Sequence, residues 1–231
     1  MLTLFDYYRS SASYRVRIAL NLKGIDYKRH AISLLDNAQQ QTDYIQRNPS
    51  GLVPALLLAS DNTSSSSCNP DALLGQSLAI IEYLDEIYPQ PNLLPLTPLE
   101  KAQCREIALT IACDIHPLNN LRVLQYLSQQ EKKSTNTADS LERENFKREW
   151  YHHWLKTGFD TVEQLVLRYP GPFCVGETPT IADICLIPQI YNAKRFNFDI
   201  TPYERITRIN TQCSTLSAFC KAHPDHQQRS Y

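Results

Sequence analysis

Four prolines crowd into ten residues of this chain and divide it into two parts of different character. A proline inside a helix lacks an amide proton and its ring clashes with the preceding turn, so this segment cannot be helical. Closely spaced prolines instead favour a stiff, extended connector. The prolines are Pro89, Pro91, Pro95 and Pro98. We therefore expect a linker over residues 89–98, between a domain over 1–88 and a second domain over 99–231.

The part before the linker alternates short apolar runs with segments of helical periodicity. Short apolar runs favour strands, and apolar residues recurring every three or four positions favour helices. The expected strands are residues 2–5, 27–34, 53–58 and 72–74. The expected helices are residues 11–23, 39–47 and 77–88. This alternation predicts an α/β domain.

The part after the linker is helical in its periodicity throughout. Helices are expected over residues 99–126 and 141–168 and, more briefly, near 203–212 and 215–222. Pro117 predicts a kink in the first of these, and residues 134–139 predict a polar loop. Thr180 followed by Asp183 is a capping-box variant that marks the start of another helix. The predicted fold class is therefore α/β plus all-α.

Composition and charge exclude several kinds of partner. The chain has 23 basic against 24 acidic residues, a net charge of −1, so no overall field attracts nucleic acid or an anionic membrane. No apolar run approaches the ~20 residues that span a bilayer, and Met1–Asp6 lacks the features of a secretion signal. The seven cysteines are scattered without a C-x-x-C pair, which favours the reducing cytoplasm over disulfides or a zinc site. We expect Cys104, Cys113 and Cys185 to be buried, because they lie in apolar helical patterns.

Several stretches occur together in an order that is characteristic of one family. They are RSSASYRVRIAL at residues 9–20, GQSLAIIEYL at 75–84, DIHPLNNLR at 114–122 and PQIYNAKRF at 188–196. With these motifs the chain resembles the zeta class of the cytosolic glutathione transferases over nearly its whole length. The resemblance implies a thioredoxin-like N-terminal domain, a helical C-terminal domain that contributes the substrate pocket, glutathione as the cofactor, and a homodimer.

Two features depart from the pattern of the class. Ala12 stands where the class has a cysteine, so any role of that thiol is absent here. The serine-rich stretch at residues 60–72 is longer than the usual tight turn between these strands. Because it precedes Gln76 and Ser77, its length would alter access to the peptide-binding site.

The resemblance also implies a reaction. It is the glutathione-dependent cis–trans isomerisation of maleylacetoacetate to fumarylacetoacetate, a step of tyrosine and phenylalanine catabolism, by thiolate addition, bond rotation and elimination. The substrate is a small dicarboxylate, and neither a metal nor a nucleotide is needed. Isomerisation of maleylpyruvate and glutathione transfer to small α-haloacids remain alternatives. A non-catalytic module that retains the fold is a third.

The resemblance assigns the catalytic residues. Ser10 is the principal hydroxyl donor to the glutathione thiolate, and Ser11 assists it. The residues alone favour one of the pair being simply a helix N-cap, and the resemblance over the whole chain reverses this. Val53-Pro54 is expected to be a cis peptide whose Val53 backbone pairs with the cysteinyl part of glutathione. The sequence pattern alone, without the family resemblance, predicts only that this proline begins a strand.

The remaining predicted contacts are spread along both domains. Ser77 is a plausible N-cap whose helix N-terminus suits the γ-glutamyl carboxylate, and Gln39 matches the glycyl-side contact to within one position. His116 and Asn120 lie four apart on a predicted helix and so share a face. The glutathione-binding set is Ser10, Ser11, Ala12, Ser13, Tyr14, Arg15, Gln39, Val53, Pro54, Gln76, Ser77, His116 and Asn120. The substrate-binding set is Arg9, His116 and Arg195. The two arginines are chosen because guanidinium groups bind carboxylates bidentately, and His116 because the resemblance places it at the active site.

The size of the thiolate effect limits what Ser10 can contribute. A thiol with a pKa of ~8.5 is only about 3% ionised at pH 7, and a pKa of ~6.5 would raise this to ~75%, a roughly 24-fold gain. Nucleophilicity falls at the same time by about 6–10-fold. The net benefit is a few-fold, so positioning and stabilisation of developing charge must supply more of the catalysis.

Overall fold

The computed structural model describes residues 1–58, 73–134 and 140–227, with side chains for all of these except 130–134 and 140–143. The serine-rich stretch lies outside the described residues, as does most of the predicted polar loop at 134–139; Ser134 itself ends a helix. The chain forms two compact units. One comprises the described parts of Met1–Leu93 together with Ser214–Tyr231, and the other comprises those of Leu94–Cys213. The three-part division drawn from the proline run stays a prediction; what the structure adds is that the C-terminal segment packs with the N-terminal unit.

The first unit is built on a mixed four-stranded sheet. Its strands are β1 (Leu2–Asp6), β2 (Tyr27–Ala31), β3 (Ala55–Leu57) and β4 (Leu73–Gly75), in the order β2-β1-β3-β4. β1 runs parallel to β2 and antiparallel to β3, and β4 is antiparallel to β3. The helices are α1 (Ser11–Leu22), α2 (Thr42–Arg47) and α3 (Ser77–Ile87), with α9 (Ser217–Ala222) added from the C-terminal segment. The thioredoxin-like N-terminal domain is thereby confirmed.

The second unit is helical, as predicted. Its helices are α4 (Pro98–Leu109), α5 (Leu121–Ser134), α6 (Ser140–Val166), α7 (Ile181–Arg195) and α8 (Glu204–Ser214). The capping box at the start of α7 is confirmed: the Asp183 carboxylate accepts from Thr180 N at 2.8 Å, and its other oxygen accepts from Cys174 N at 2.8 Å. Asp183 is fully buried, and burial raises the pKa of its carboxyl group.

The single helix predicted over residues 99–126 is wrong. α4 continues into a π-helical segment at Thr110–Ile115, after which the chain turns before α5 begins. Pro117 lies in that turn, where its missing amide proton leaves no helical bond unmade. Cys113 is exposed on the π-helical segment, so its predicted burial is also wrong, whereas Cys104 and Cys185 are buried as expected. Burial raises the pKa of Cys104 to about 11.

Gly158 permits α6 to approach the π-helical segment closely. A Cβ atom at this position would lie 2.2 Å from Ile115 Cγ1 and 2.3 Å from Ile115 Cδ1, and Ile115 is fully buried. We expect Gly158→Ala to lower the free energy of unfolding, because overpacking costs about 1–3 kcal/mol and outweighs the ~1 kcal/mol that alanine adds to helix propensity. Denaturant unfolding of this variant beside Thr157→Ala, an exposed neighbour, tests this. A Gly158→Ala protein as stable as the parent would contradict it.

Candidate active site

The connection from β1 to α1 places a serine hydroxyl at a helix N-terminus. Ser10 is the N-cap of α1: its backbone is extended (φ −67°, ψ 122°) and its Oγ accepts from Ser13 N at 3.2 Å. The residues alone predicted that one serine of this pair is an N-cap, and this is confirmed for Ser10. Within the described part of the chain the Ser10 hydroxyl donates to no acceptor, so its proton is available to a ligand.

The first turn of α1 adds positive potential beside that hydroxyl. Amide groups at a helix N-terminus lack intrahelical acceptors and favour a negative charge. Ser11 begins the helix, and the side chains from Ser11 to Leu20 are all buried. Ala12 contributes a methyl group where the class has a thiol. Ser13 and Tyr14 are buried as well, so this turn exposes little of their side chains to a ligand.

Arg15 lies on α1 with a guanidinium group that is only partly satisfied. Its Nη1 donates to Ser77 Oγ at 3.3 Å, and the residue is only 2% exposed. The Nε and Nη2 atoms are buried and have no hydrogen-bond partner among the described residues. A buried charge without a partner is unfavourable, so these two donors fit the carboxylate of an anionic ligand.

The predicted N-cap role of Ser77 is wrong. Ser77 is the first residue of α3, and the capping position belongs to Gln76, which has φ 64° and makes no side-chain capping bond. Ser77 instead uses its hydroxyl oxygen to accept from Arg15. Gln76 is exposed at the helix N-terminus, so its amide remains accessible to a ligand.

The Val53-Pro54 peptide is cis, as predicted. The residue before it is held by two hydrogen bonds: Leu52 O accepts from Tyr44 OH at 2.7 Å and from Asn48 Nδ2 at 2.7 Å. Burial raises the pKa of Tyr44, which keeps this hydroxyl protonated as a donor. The backbone N–H and C=O of Val53 have no partner in the described ranges, and so they can pair with an extended peptide as an added strand does.

Gly51 allows Gln39 and Gln40 to approach this loop closely. Its φ is +59°, and a Cβ atom would lie 2.8 Å from Gln40 Nε2 and 3.3 Å from Gln39 O. Gln40 donates to Gly51 O at 3.3 Å, which uses its amide within the loop. The Gln39 Oε1 atom is buried without a partner among the described residues, so Gln39 keeps hydrogen-bonding capacity for a ligand.

Sequence reasoning missed the supporting residues of this loop. The Asn48 side chain also donates to Tyr44 OH at 3.1 Å and accepts from Ser50 Oγ at 2.7 Å. Its near-complete burial, 4% exposed, is the property that distinguishes it from an ordinary turn asparagine. An asparagine beside a proline gives no sequence signal for that burial.

The predicted pairing of His116 and Asn120 on one helix face is wrong. His116 follows the π-helical segment and Asn120 precedes α5, with a turn between them. Asn120 Oδ1 accepts from Arg122 N at 3.1 Å, as an N-cap side chain does. His116 is half-buried. Both belong to the second unit, as does Arg195.

Arg195 ends α7 with an exposed and oriented guanidinium group. Its Nη1 donates to Asn192 Oδ1 at 2.9 Å, and its Cζ lies 5.9 Å and 5.8 Å from the ring centroids of Tyr191 and Phe196. These contacts hold the head group while leaving donors accessible to a carboxylate. In the first unit Arg9 lies over the Tyr8 ring, 5.1 Å from its centroid, and is half-buried.

The described residues contain no group of three or more His, Cys, Asp or Glu side chains placed to hold a metal ion. Among the described helices there is none with both the length and the apolar character needed to cross a bilayer. The candidate site in the first unit is therefore composed of hydroxyls, amides, one unsatisfied guanidinium and unpaired backbone groups. This donor set fits a small anionic peptide with a thiol.

The first unit thus combines a thioredoxin-like sheet with a serine at the start of α1 and a cis proline before β3. Residues 4–92 match the family model for the glutathione S-transferase N-terminal domain. A probable maleylacetoacetate isomerase from Vibrio cholerae is 41% identical over 228 residues, which cover 98% of this chain and 97% of that protein.

Solved structures agree with this match. A holo maleylpyruvate isomerase, described as a bacterial glutathione S-transferase of the zeta class, superposes with a TM-score of 0.85 at 37% identity over 99% of this chain and 100% of that one. A maleylacetoacetate isomerase from Methylobacterium extorquens, with bound malonate and glutathione, gives a TM-score of 0.85 at 33% identity over 99% of each chain. The chain belongs to the glutathione S-transferase family, and within it to the zeta class.

Proposed function

We propose that this chain catalyses the glutathione-dependent cis–trans isomerisation of maleylacetoacetate to fumarylacetoacetate. The observation that carries the proposal is the Ser10 hydroxyl at the N-terminus of α1, which caps the helix as an acceptor and keeps its own proton for a ligand. The relative from Vibrio cholerae bears the name of this activity and supports it. We also propose a homodimer, on the family resemblance, and a cytoplasmic location, on the scattered cysteines.

Glutathione, when bound, supplies a thiol that adds as a thiolate to the substrate double bond and later leaves. We assign Ser10 to donate a hydrogen bond to the sulfur, with Ser11 assisting. A hydrogen bond to the charged form lowers the pKa of a thiol, and the potential at the start of α1 acts in the same direction. Both effects favour the thiolate at neutral pH.

The rest of the first unit is assigned to holding the peptide. The unpaired Nε and Nη2 donors of Arg15 suit its γ-glutamyl carboxylate, with the hydroxyl of Ser77 and the exposed amide of Gln76 beside them. The free backbone of Val53 suits the cysteinyl unit, and the Gln39 Oε1 acceptor suits the N–H of the glycyl unit. Among the described residues each of these groups lacks a complete set of partners, and this supports the assignment.

Arg195 is assigned to a carboxylate of the substrate. The reaction places negative charge on a substrate carbonyl oxygen, and a fixed guanidinium stabilises such charge without reorganisation. Because thiolate formation raises the rate only a few-fold, this electrostatic contribution to catalysis must be the larger one. We propose Arg9 and His116 as further substrate contacts and Asn120 as a further glutathione contact.

Replacing Ser10 tests the assignment of the hydroxyl. A hydrogen bond to a charged group is worth about 1.5–3 kcal/mol, so Ser10→Ala should raise the pKa of the bound glutathione thiol by ~1–2 units. The sign follows because the lost donor stabilised the thiolate. Titrating the ultraviolet absorbance of the thiolate in the complex measures this shift.

Two further variants separate the hydroxyl from helix capping. Ser10→Thr keeps both the hydroxyl and the cap, so the thiol pKa should stay near that of the parent protein. Ser10→Gly loses the hydroxyl but only a few tenths of a kcal/mol of capping, and should reproduce the shift of Ser10→Ala. An unchanged thiol pKa in both Ser10→Ala and Ser10→Gly would refute the role of Ser10.

The activity itself is tested by following the loss of maleylacetoacetate with and without glutathione. We expect isomerisation only in its presence, and equal rates in both conditions would end the proposal. Maleylpyruvate is the second candidate substrate, because a zeta-class neighbour carries the name maleylpyruvate isomerase. If kcat/KM were higher for maleylpyruvate or for dichloroacetate than for maleylacetoacetate, that compound would be the substrate instead. Failure to bind glutathione would favour a non-catalytic module.

A further inference from the structure

Arg17 is a fully buried residue of α1 that is not part of the site described above. All three of its guanidinium nitrogens are engaged: Nη1 donates to Asp6 Oδ2 at 2.8 Å, Nη2 to Tyr8 O at 2.9 Å and Nε to Ala222 O at 3.0 Å. One side chain thus fixes the end of β1, the connection that follows it, and the last residue of α9.

The bond to Tyr8 O acts on the segment that delivers Ser10. Only residues 7–9 separate β1 from the α1 N-cap. Ser10 N donates to Tyr7 O at 2.9 Å, and the rings of Tyr7 and Tyr8 pack edge to face with centroids 5.0 Å apart. The connection is therefore held at two consecutive carbonyls, one by the cap residue itself and one by Arg17.

The bond to Ala222 O ties this arrangement to the C-terminal segment. Asn21 Nδ2 donates to Ala218 O at 3.0 Å, and the Tyr14 ring meets the His223 ring edge to face with centroids 5.9 Å apart. The C-terminal segment is thus attached along α1 at three places, two of them hydrogen bonds to α9 and one a ring contact at His223 just after it. Of the two hydrogen bonds, that of Arg17 lies nearer to the β1–α1 connection. The C-terminal segment is in this way a structural part of the unit that carries the glutathione site.

We propose that Arg17, anchored by α9, is the positioning residue that fixes the β1–α1 connection so that the Ser10 hydroxyl meets the glutathione sulfur. The inference rests on the proposed role of Ser10. It requires an arginine, because a lysine ammonium can pair with Asp6 but has no planar fork to reach Tyr8 O and Ala222 O at the same time. A misplacement of about 1 Å at a reacting group can cost on the order of 100-fold in rate.

The test compares Arg17→Lys with Arg29→Lys. Arg29 is a matched control, since it donates to the same carboxylate, with Nη2 2.9 Å from Asp6 Oδ1, and within the described residues its guanidinium group donates neither to Tyr8 O nor to α9. We expect Arg17→Lys to raise the pKa of the bound thiol toward that of Ser10→Ala and to lower kcat about tenfold or more. Arg29→Lys should leave both within about twofold of the parent protein, whatever it does to Tm.

A double variant shows whether Arg17 acts through Ser10. If it does, Arg17→Lys combined with Ser10→Ala should have the thiol pKa of Ser10→Ala alone. A folded Arg17→Lys protein with unchanged thiol pKa and kcat would overturn the inference, and a shift in Ser10→Ala would then leave the proposed function standing. If the thiol pKa did not shift in Ser10→Ala, the proposed role of Ser10 would be refuted, and this inference, which rests on it, would be refuted as well.

A milder variant covers the case in which Arg17→Lys does not fold. Asn21→Ala removes the bond to Ala218 O while leaving Arg17 in place. We expect a smaller rise of the thiol pKa in the same direction, because α9 is then less firmly attached to α1. An unchanged thiol pKa in folded Asn21→Ala would count against the anchoring role of α9 and overturn the inference.

Discussion

Replacing Asp6 by asparagine is expected to destabilise the protein by about 3–5 kcal/mol. Asp6 is fully buried at the end of β1, where its carboxylate pairs with Arg17 at 2.8 Å and with Arg29 at 2.9 Å. Burial lowers the pKa of Arg17, and Asp6 is the main influence that opposes this shift. Without the carboxylate, the Arg17 guanidinium would be buried with no opposite charge.

Denaturant unfolding of Asp6→Asn measures this loss. Glu144→Gln is the control, because Glu144 pairs with Lys147 at 2.7 Å on the surface, where the carboxyl side chain is 72% exposed. Exposed pairs of this kind contribute about 0–1 kcal/mol. If both variants lose the same small free energy, the buried ion pair does not have the structural importance assigned to it.

Replacing Arg195 by glutamine is expected to lower kcat/KM for the dicarboxylate substrate by about 100- to 1000-fold, the usual effect of removing one donor that stabilises developing charge. The reason is that glutamine keeps a hydrogen-bond donor but loses both the charge and the planar fork. Arg195→Lys should recover part of the loss, since it restores the charge alone. The affinity for glutathione should not change.

Steady-state kinetics with Lys194→Gln as the matched control checks this expectation. Lys194 is an exposed cation on the same last turn of α7, so its removal changes the net charge equally. A rate loss in Lys194→Gln equal to that in Arg195→Gln would indicate a general field and not a specific contact. An unchanged kcat/KM in Arg195→Gln would remove Arg195 from the substrate site.

The sequence predicts those features that depend on neighbouring residues. The order of strands and helices in the first unit follows from local periodicity, and the capping box at Thr180 and Asp183 needs only residues three apart. The cis peptide before Pro54 is predicted by the family resemblance and not by the proline, since an X–Pro bond on its own favours the trans form. Each of these agrees with the structure.

Features that depend on distant contacts could not be predicted in this way. The break between α4 and α5 accompanies the packing of Ile115 against Gly158, 43 positions away, and no local periodicity reports that contact. Ser77 accepts from Arg15, which is 62 residues away in the sequence. The local sequence pattern does not show this contact and predicts a capping role for the hydroxyl instead. The bond from Arg17 to Ala222 O spans 205 residues, and it became visible only in the folded chain.

A crystal of this protein soaked with glutathione tests the central claim most directly. The measurement is the distance from the cysteinyl sulfur to Ser10 Oγ, with the backbone of Val53 and the side chain of Arg15 as reference points. We predict a sulfur within hydrogen-bonding distance of Ser10 Oγ and a peptide carboxylate on the unpaired donors of Arg15. A peptide bound away from the start of α1, or a sulfur directed away from Ser10, would contradict the account.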